Sequence, residues 1–384
     1  DVYKRQVEFL EMKKILTVAI ACACLTGFSA CNDFLEEKPK SSLTAPDYYQ
    51  TEAQAQANVN YLYRTGASSK LTGAGSAYVG PFASITGQLT GYFTNSYEGQ
   101  ELTCKYSREL TRQQNTMTVS VTIDGIWDDC YKAINVANGA IKYIPEISMD
   151  QSLANRLIGE AKFFRAWNYF NLVKIFGGVP LTVEPYESME NMYLERASVE
   201  QVYAQVESDL KDAVNALPAA TFYNNSNRIT KYAAAMVLTS VYMQQGKYAD
   251  AASAVKTVID SPHALATNDD LALGSAYNKI RTTDGLAESI YSYEYNATIS
   301  NGGWWPTYAF NSAATAIFGT YSIFERTYGP TNQFLNVYAA NDLRIQPNQF
   351  FHWNYTNPDN GKTWTAPELS LIHISEPTRR SYIS

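Results

Sequence analysis

The chain has little of what most site chemistry is built from. Its 384 residues include 3 His and 5 Cys, with no Cys-x-x-Cys pair. That leaves scant material for a zinc site or a His-based catalytic triad. Charge is also scarce, at 17%, and has no basic excess: 30 Lys and Arg stand against 37 Asp and Glu, a formal net charge of −7. Without a basic face to neutralise phosphates, no nucleic-acid partner is expected. An apolar run at residues 15–28 is too short, at fourteen residues, to span a bilayer. What the chain has in excess is aromatics, 13% of residues, 29 of them Tyr. Such large π-faces belong in a core or on a binding surface. The length suits two domains or one large one, with ample material for a core.

The run at 15–28 has a different meaning. Met12, Lys13 and Lys14 precede it as a basic region, and Phe28-Ser29-Ala30-Cys31 closes it. This is the layout of a signal peptide, 12–30, ending in a lipobox-like sequence. Phe28 stands where an aliphatic residue is usual, and Cys22 and Cys24 fall too early in the run. Cys31 is therefore expected to be the lipidated mature N-terminus, with an ordinary secretory signal as the alternative. Residues 1–11 and 370–384 differ in composition from what adjoins them and resemble translated sequencing-adapter read-through. They are expected to be non-native, with the natural C-terminus missing. Residues 31–369 alone hold 24 basic and 33 acidic residues, a net charge of −9. They keep Cys104 and Cys130, whose pairing spacing alone does not decide.

A polar stretch with Pro39, residues 32–43, suits a tether. The first helix is expected to start near Thr44, with Pro46 in its first turn, and to run to Gly66. Residues 67–117 read as irregular. Ile126, Cys130, Ile134, Ala137, Ile141 and Ile144 then recur at helical spacing up to Pro145. A further helix carries Leu153, Leu157, Ala161, Phe164, Leu172 and Ile175 and ends at Gly177-Gly178. Ser198 and Gln201 form a capping box for the next, which ends at Pro218. Thr230 opens another over 231–245, Gly246 breaks the chain, and a fifth runs from there to Asp260. Leu238, Tyr242, Gly246, Tyr248 and Ala251, closing near Pro262, have tetratricopeptide-repeat spacing, although any helical hairpin could show it. The fold class is thus mainly α, an array of tetratricopeptide-like hairpins over 31–263. Residues 264–369 hold 19 aromatics but 14 charged residues, and read as a loop-rich subdomain, with a periodic stretch only around 332–340.

Several blocks together resemble the SusD/RagB family of nutrient-capturing surface lipoproteins. The most specific is Arg165-Ala166-x-x-Tyr169-Phe170-x-Leu172-Val173-x-x-Phe176-Gly177-Gly178-Val179-Pro180-Leu181. Others are Trp127-x-x-x-Tyr131-x-x-Ile134-x-x-Ala137-Asn138, Arg196-Ala197-Ser198, Asp209-Leu210, Arg228-x-Thr230-Lys231, Ala287-Glu288-Ser289-Ile290 and Asn341-Asp342-Leu343-Arg344. The resemblance spans most of 31–350. It implies a tetratricopeptide-like helical array carrying a variable subdomain, on an outer-membrane lipoprotein exposed at the cell surface. It also implies a SusC-like TonB-dependent transporter as partner, to which oligosaccharide or peptide is handed. Asp33, Glu36 and Glu37 resemble the signal that sends such lipoproteins to the outer face. Neither catalysis nor a cofactor is implied.

A sugar offers apolar C–H faces and a rim of hydroxyls, so its site calls for flat aromatics beside amides and carboxylates. Trp304, Trp305 and Tyr308, in a loop bounded by Gly302, Gly303 and Pro306, fit best. Tyr92, Asn95 and Tyr97 form a second set, with Phe93 between them. The competing reading is that Trp304 and Trp305 fill the subdomain core. One such platform buries roughly 100 Å², worth about 2–3 kcal/mol before costs, so binding in the millimolar to tens-of-micromolar range is expected. Trp127, Tyr131, Phe164, Trp167 and Tyr169 read as helix packing, and Asp128-Asp129 as a solvated face rather than a metal pair. Residues 357–361 read as a turn. No metal site is expected, and no carboxylate pair is marked for glycoside hydrolysis. A surface glycoside hydrolase and a scaffold that binds no ligand remain the alternative functions.

Overall fold

A computed structural model of the chain describes residues 48–65, 87, 90–95, 125–187, 193–270, 275–292, 329–345, 354–357 and 360–365. The chain divides into two units, Asp1–Tyr48 and Tyr49–Ser384, and the following concerns the second.

Helix α1, Glu52–Thr65, opens after a break in helix at residues 49–51, and the expected start near Thr44 lies outside the described residues. Thr51 caps it, its Oγ1 accepting from the Gln54 N–H at 3.3 Å and its carbonyl from the Ala55 N–H at 3.0 Å. Residues 49–51 are therefore non-helical, because the cap satisfies donors that a helix starting upstream would bond internally. Ala55, Val59 and Leu62 form the buried stripe. Helix α2, Gly125–Tyr143, buries Ile126, Cys130, Ile134 and Ala137 and passes into a 3-10 turn at Pro145. Helix α3, Gln151–Phe176, is capped by Asp150 and ends at Gly177 with φ +72°. Helix α4, Val199–Ala216, opens with the expected capping box of Ser198 and Gln201. Helices α5, Lys231–Gln244, and α6, Tyr248–Ile259, form the hairpin, joined through Gly246 at φ +71°.

These helices stack in sequence: α1 packs on α2 and α3, α2 on α3, α3 on α4, α4 on α5, and α5 on α6. The mainly helical, tetratricopeptide-like array is as expected. Beyond it, helix α7, Ala276–Thr282, was not legible, since seven mixed polar and apolar residues carry too little period. Ser275 caps it. Helix α8, Asn332–Leu335, is capped by Thr331 and is shorter than the periodic stretch around it. Two antiparallel pairs complete the described elements: β1, Phe93–Thr94, with β2, Gly329–Pro330, and β3, Asn354–Thr356, with β4, Thr363–Thr365.

Two ionic clusters, the first buried and the second partly buried, tie the array together. Arg165 on α3 makes a bidentate pair with Asp209 on α4, Nε to Oδ2 at 2.8 Å and Nη2 to Oδ1 at 2.7 Å. Its Nη1 donates to Asn138 Oδ1 on α2 at 2.9 Å. Asn138 in turn donates to the carbonyls of Thr182 and Glu184, and Tyr169 both donates to and accepts from the Thr182 backbone. The second cluster pairs Arg228 with the fully buried Glu160 through Nε at 2.9 Å and through Nη2. Arg228 also donates to Asn60 at 2.6 Å and lies over the Tyr63 ring. Buried charges need this degree of pairing.

Candidate ligand-binding surfaces

The segment between α3 and α4 has tight backbone constraints. A Cβ on Gly178 would run into the Ala197 carbonyl oxygen, because the chain there folds back on itself. Ala197 N–H donates to the Val179 carbonyl at 3.0 Å, and Pro180 bridges antiparallel to Arg196. Arg196 reaches the Phe176 carbonyl at 3.0 Å, closing the C-terminus of α3. The Gly177-Gly178-Val179-Pro180 block thus holds the 179–187 segment against α2 and α3.

That segment forms one wall of an open cleft of about 710 Å³. The facing wall is the side of α2 that presents Trp127, Tyr131 and Asn135 at i, i+4 and i+8. Tyr131 donates to the Pro180 carbonyl at 2.6 Å, and burial pushes its phenol pKa upward, keeping it a donor. Trp127 is braced edge-on by Phe176, at 5.2 Å between ring centroids, and tilted on Tyr131 at 4.9 Å. Asn135 Oδ1 accepts from the Tyr186 N–H at 2.8 Å, which places Tyr186 at the rim. Tyr193, 88% exposed, Leu194 and Glu195 complete the lining. Trp127 and Tyr131, read from the sequence as packing, thus both pack and line a cleft. Their spacing with Asn135 was visible; the open space beside it was not.

Of the residues expected to bind ligand, Tyr92 and Asn95 are described, whereas Tyr97, Trp304, Trp305 and Tyr308 lie outside the described residues, as does Cys31. The backbone at 91–93 is tied to the C-terminal segment. Thr331 donates to the Tyr92 carbonyl at 2.8 Å through its N–H and to the Gly91 carbonyl at 2.8 Å through its hydroxyl. Phe334 sits between the Tyr92 ring at 5.9 Å and the Tyr338 ring at 5.6 Å, and Arg344 lies over Tyr338. Tyr92 is 37% exposed, so its ring is offered to solvent, but Asn95 is 2% exposed and its amide faces inward. The structure thus gathers Tyr92 with Phe334 and Tyr338, neither of which sequence reasoning named.

Cys130 is a buried free thiol, its pKa raised by burial; Cys104 lies outside the described residues. Asp128 is exposed. Among the described residues, no group of three His, Cys, Asp or Glu side chains could hold a metal ion, and no helix is long and apolar enough to cross a membrane.

Residues 33–243 match a SusD-like family described as "Starch-binding associating with outer membrane". The chain belongs to this SusD-like family. SusD-like protein P2 of Formosa agariphila is 27% identical over 316 residues, covering 80% of this chain and 58% of its own length. A solved SusD superfamily protein from Parabacteroides distasonis shares the fold with a TM-score of 0.65 at 21% identity, covering 83% of this chain and 66% of its own. A solved structure titled "Laminarin binding SusD-like protein" gives a TM-score of 0.53 at 25% identity, over 67% of this chain and 54% of its own. The chain spans 58% or less of the length of the curated relatives it matches. Seen against this structure, the SusD-like blocks are mostly struts. Arg165, Asn138 and Asp209 bind helices to one another, Gly178 allows a close backbone approach, and Ala287 accepts from His263 Nδ1 at 2.8 Å.

Proposed function

We propose that this protein is a non-catalytic, cell-surface lipoprotein, anchored through Cys31 to the outer membrane. On this reading it binds an oligosaccharide nutrient and passes it to a SusC-like TonB-dependent transporter. The observation that carries the reading is the family match over residues 33–243. A relative titled for laminarin binding lends support to a glycan rather than a peptide. The Tyr92 face is proposed as the capture site together with Tyr97, Trp304, Trp305 and Tyr308, and Asn95 as a buried support for it. Exposed aromatic planes on loops suit a ligand that is held weakly and released quickly.

The test is a screen of the purified full chain against soluble starch, laminarin and other glycans, and against peptides, by affinity electrophoresis and calorimetry. Saturable glycan binding without release of shorter products supports the reading. Shortened products on chromatography would point to a hydrolase, and no binding to any glycan or peptide would point to a scaffold. Co-purification with a barrel partner tests the transporter step.

A further inference from the structure

The cleft between α2 and residues Pro180, Tyr186 and Tyr193–Glu195 shares none of its lining with the Tyr92 face. We infer that it is a second glycan-binding subsite, taking a neutral oligosaccharide chain; this rests on the proposed function and adds a site to it. Three observations converge. First, its aromatic planes are preorganised: Trp127 is held by Phe176 and Tyr131, and Tyr131 by the Pro180 carbonyl. A ring already fixed loses little entropy when a sugar face settles on it. Second, Tyr193 is 88% exposed and Tyr186 38% exposed at the opposite rim, leaving large π-surface facing water. Third, the polar groups between these rings are uncommitted. Among the described residues, the Asp128 and Glu195 carboxylates, the Lys132 ammonium and the Asn135 amide nitrogen have no hydrogen bond or ion pair.

Flat apolar platforms interleaved with free donors and acceptors of both signs match a polyol better than an apolar or ionic ligand. An apolar ligand would leave those groups unpaired, and two carboxylates beside one ammonium give no strong field for an anion. At about 710 Å³ the cleft is within the size range of small-molecule sites and open enough for a chain to pass through.

The experiment uses the full chain with soluble starch and laminarin as probes. It compares the unsubstituted protein, a Tyr186→Ala/Tyr193→Ala variant and a Trp304→Ala/Trp305→Ala variant by affinity electrophoresis and calorimetry. The two tyrosines are at the rim, so circular dichroism and melting temperature should hold. The expected result is a roughly tenfold or greater weakening in the tyrosine variant, the loss of one good stacking contact, with residual binding left in the tryptophan variant. Binding by the tyrosine variant equal to that of the unsubstituted protein would overturn the second subsite and leave the proposed function standing. No binding of either probe by the unsubstituted protein would overturn the subsite. The wider glycan and peptide screen then decides whether the proposed function falls as well.

Discussion

Arg165 and Asp209 face each other inside the array, the guanidinium fork closing on both carboxylate oxygens at 2.8 and 2.7 Å. The pair joins α3 to α4, and through Asn138 it also reaches α2 and the 182–184 backbone. Leaving either charge alone in this setting is costly, since Arg165 and Asp209 are 5% and 1% exposed. Asp209→Ala is expected to destabilise the fold by about 3–5 kcal/mol. An Arg165→Met/Asp209→Leu double variant should lose less, because no unpaired charge is then buried. Denaturant melts of the three proteins check this; a double variant worse than the single would show that the pair contributes more than charge compensation.

The reversal at Gly178 permits no side chain, because the Ala197 carbonyl occupies the space where a Cβ would go. Gly178→Ala should therefore part the Val179–Ala197 hydrogen bond and lower stability by about 1–3 kcal/mol, as overpacking does. Because Pro180 borders the cleft, any glycan bound there should be lost along with stability. Thermal melts and binding titrations on the same samples would show whether the two move together.

At the proposed capture site, Trp304→Ala or Trp305→Ala should remove glycan binding at that face, leaving only the weaker binding of the α2 cleft, while the helical circular dichroism and the melting temperature stay put. If both variants lose stability and binding in equal measure, the tryptophans are filling a core instead.

Asp342 gives a pH-dependent prediction. The Arg344 side chain donates to both its oxygens at 2.9 and 2.6 Å, and the Arg344 N–H adds a third bond. These hold its carboxyl pKa down at about 2, against an ordinary 3.8. A folded-state value below the unfolded one stabilises fully above the ordinary value, and the effect fades as pH falls through about 2. The pair is at the surface, so the global effect should be small. Carboxyl-carbon NMR titration is the direct measure. Arg344→Ala should return the midpoint close to the ordinary value, and an unchanged midpoint would remove Arg344 as the cause.

How much of this could be read beforehand depends on the range of the interaction. The Ser198 and Gln201 capping box and the stop at Gly177 are signals contained within a few residues, and both stand in the structure. The break ahead of α1 went unread because Thr51, with Gln54 three residues on, makes a cap that Pro46 and Asp47 obscured. Helix α7 escaped notice for want of length. The meeting of Tyr92 with Phe334 joins two distant stretches of chain, and nothing local marks either one for the other.

Family membership and the order of the helices were thus written in the chain itself, because capping, periodicity and signature blocks act over short separations. The double role of Trp127 and Tyr131 was not. Helical spacing puts them on one face with Asn135, but whether that face is covered depends on where the 179–187 segment passes. The Gly178 reversal and the Tyr131–Pro180 hydrogen bond hold that segment close enough to brace the rings and far enough away to leave a cleft. Exposure is set by what packs nearby, so folding alone decided it.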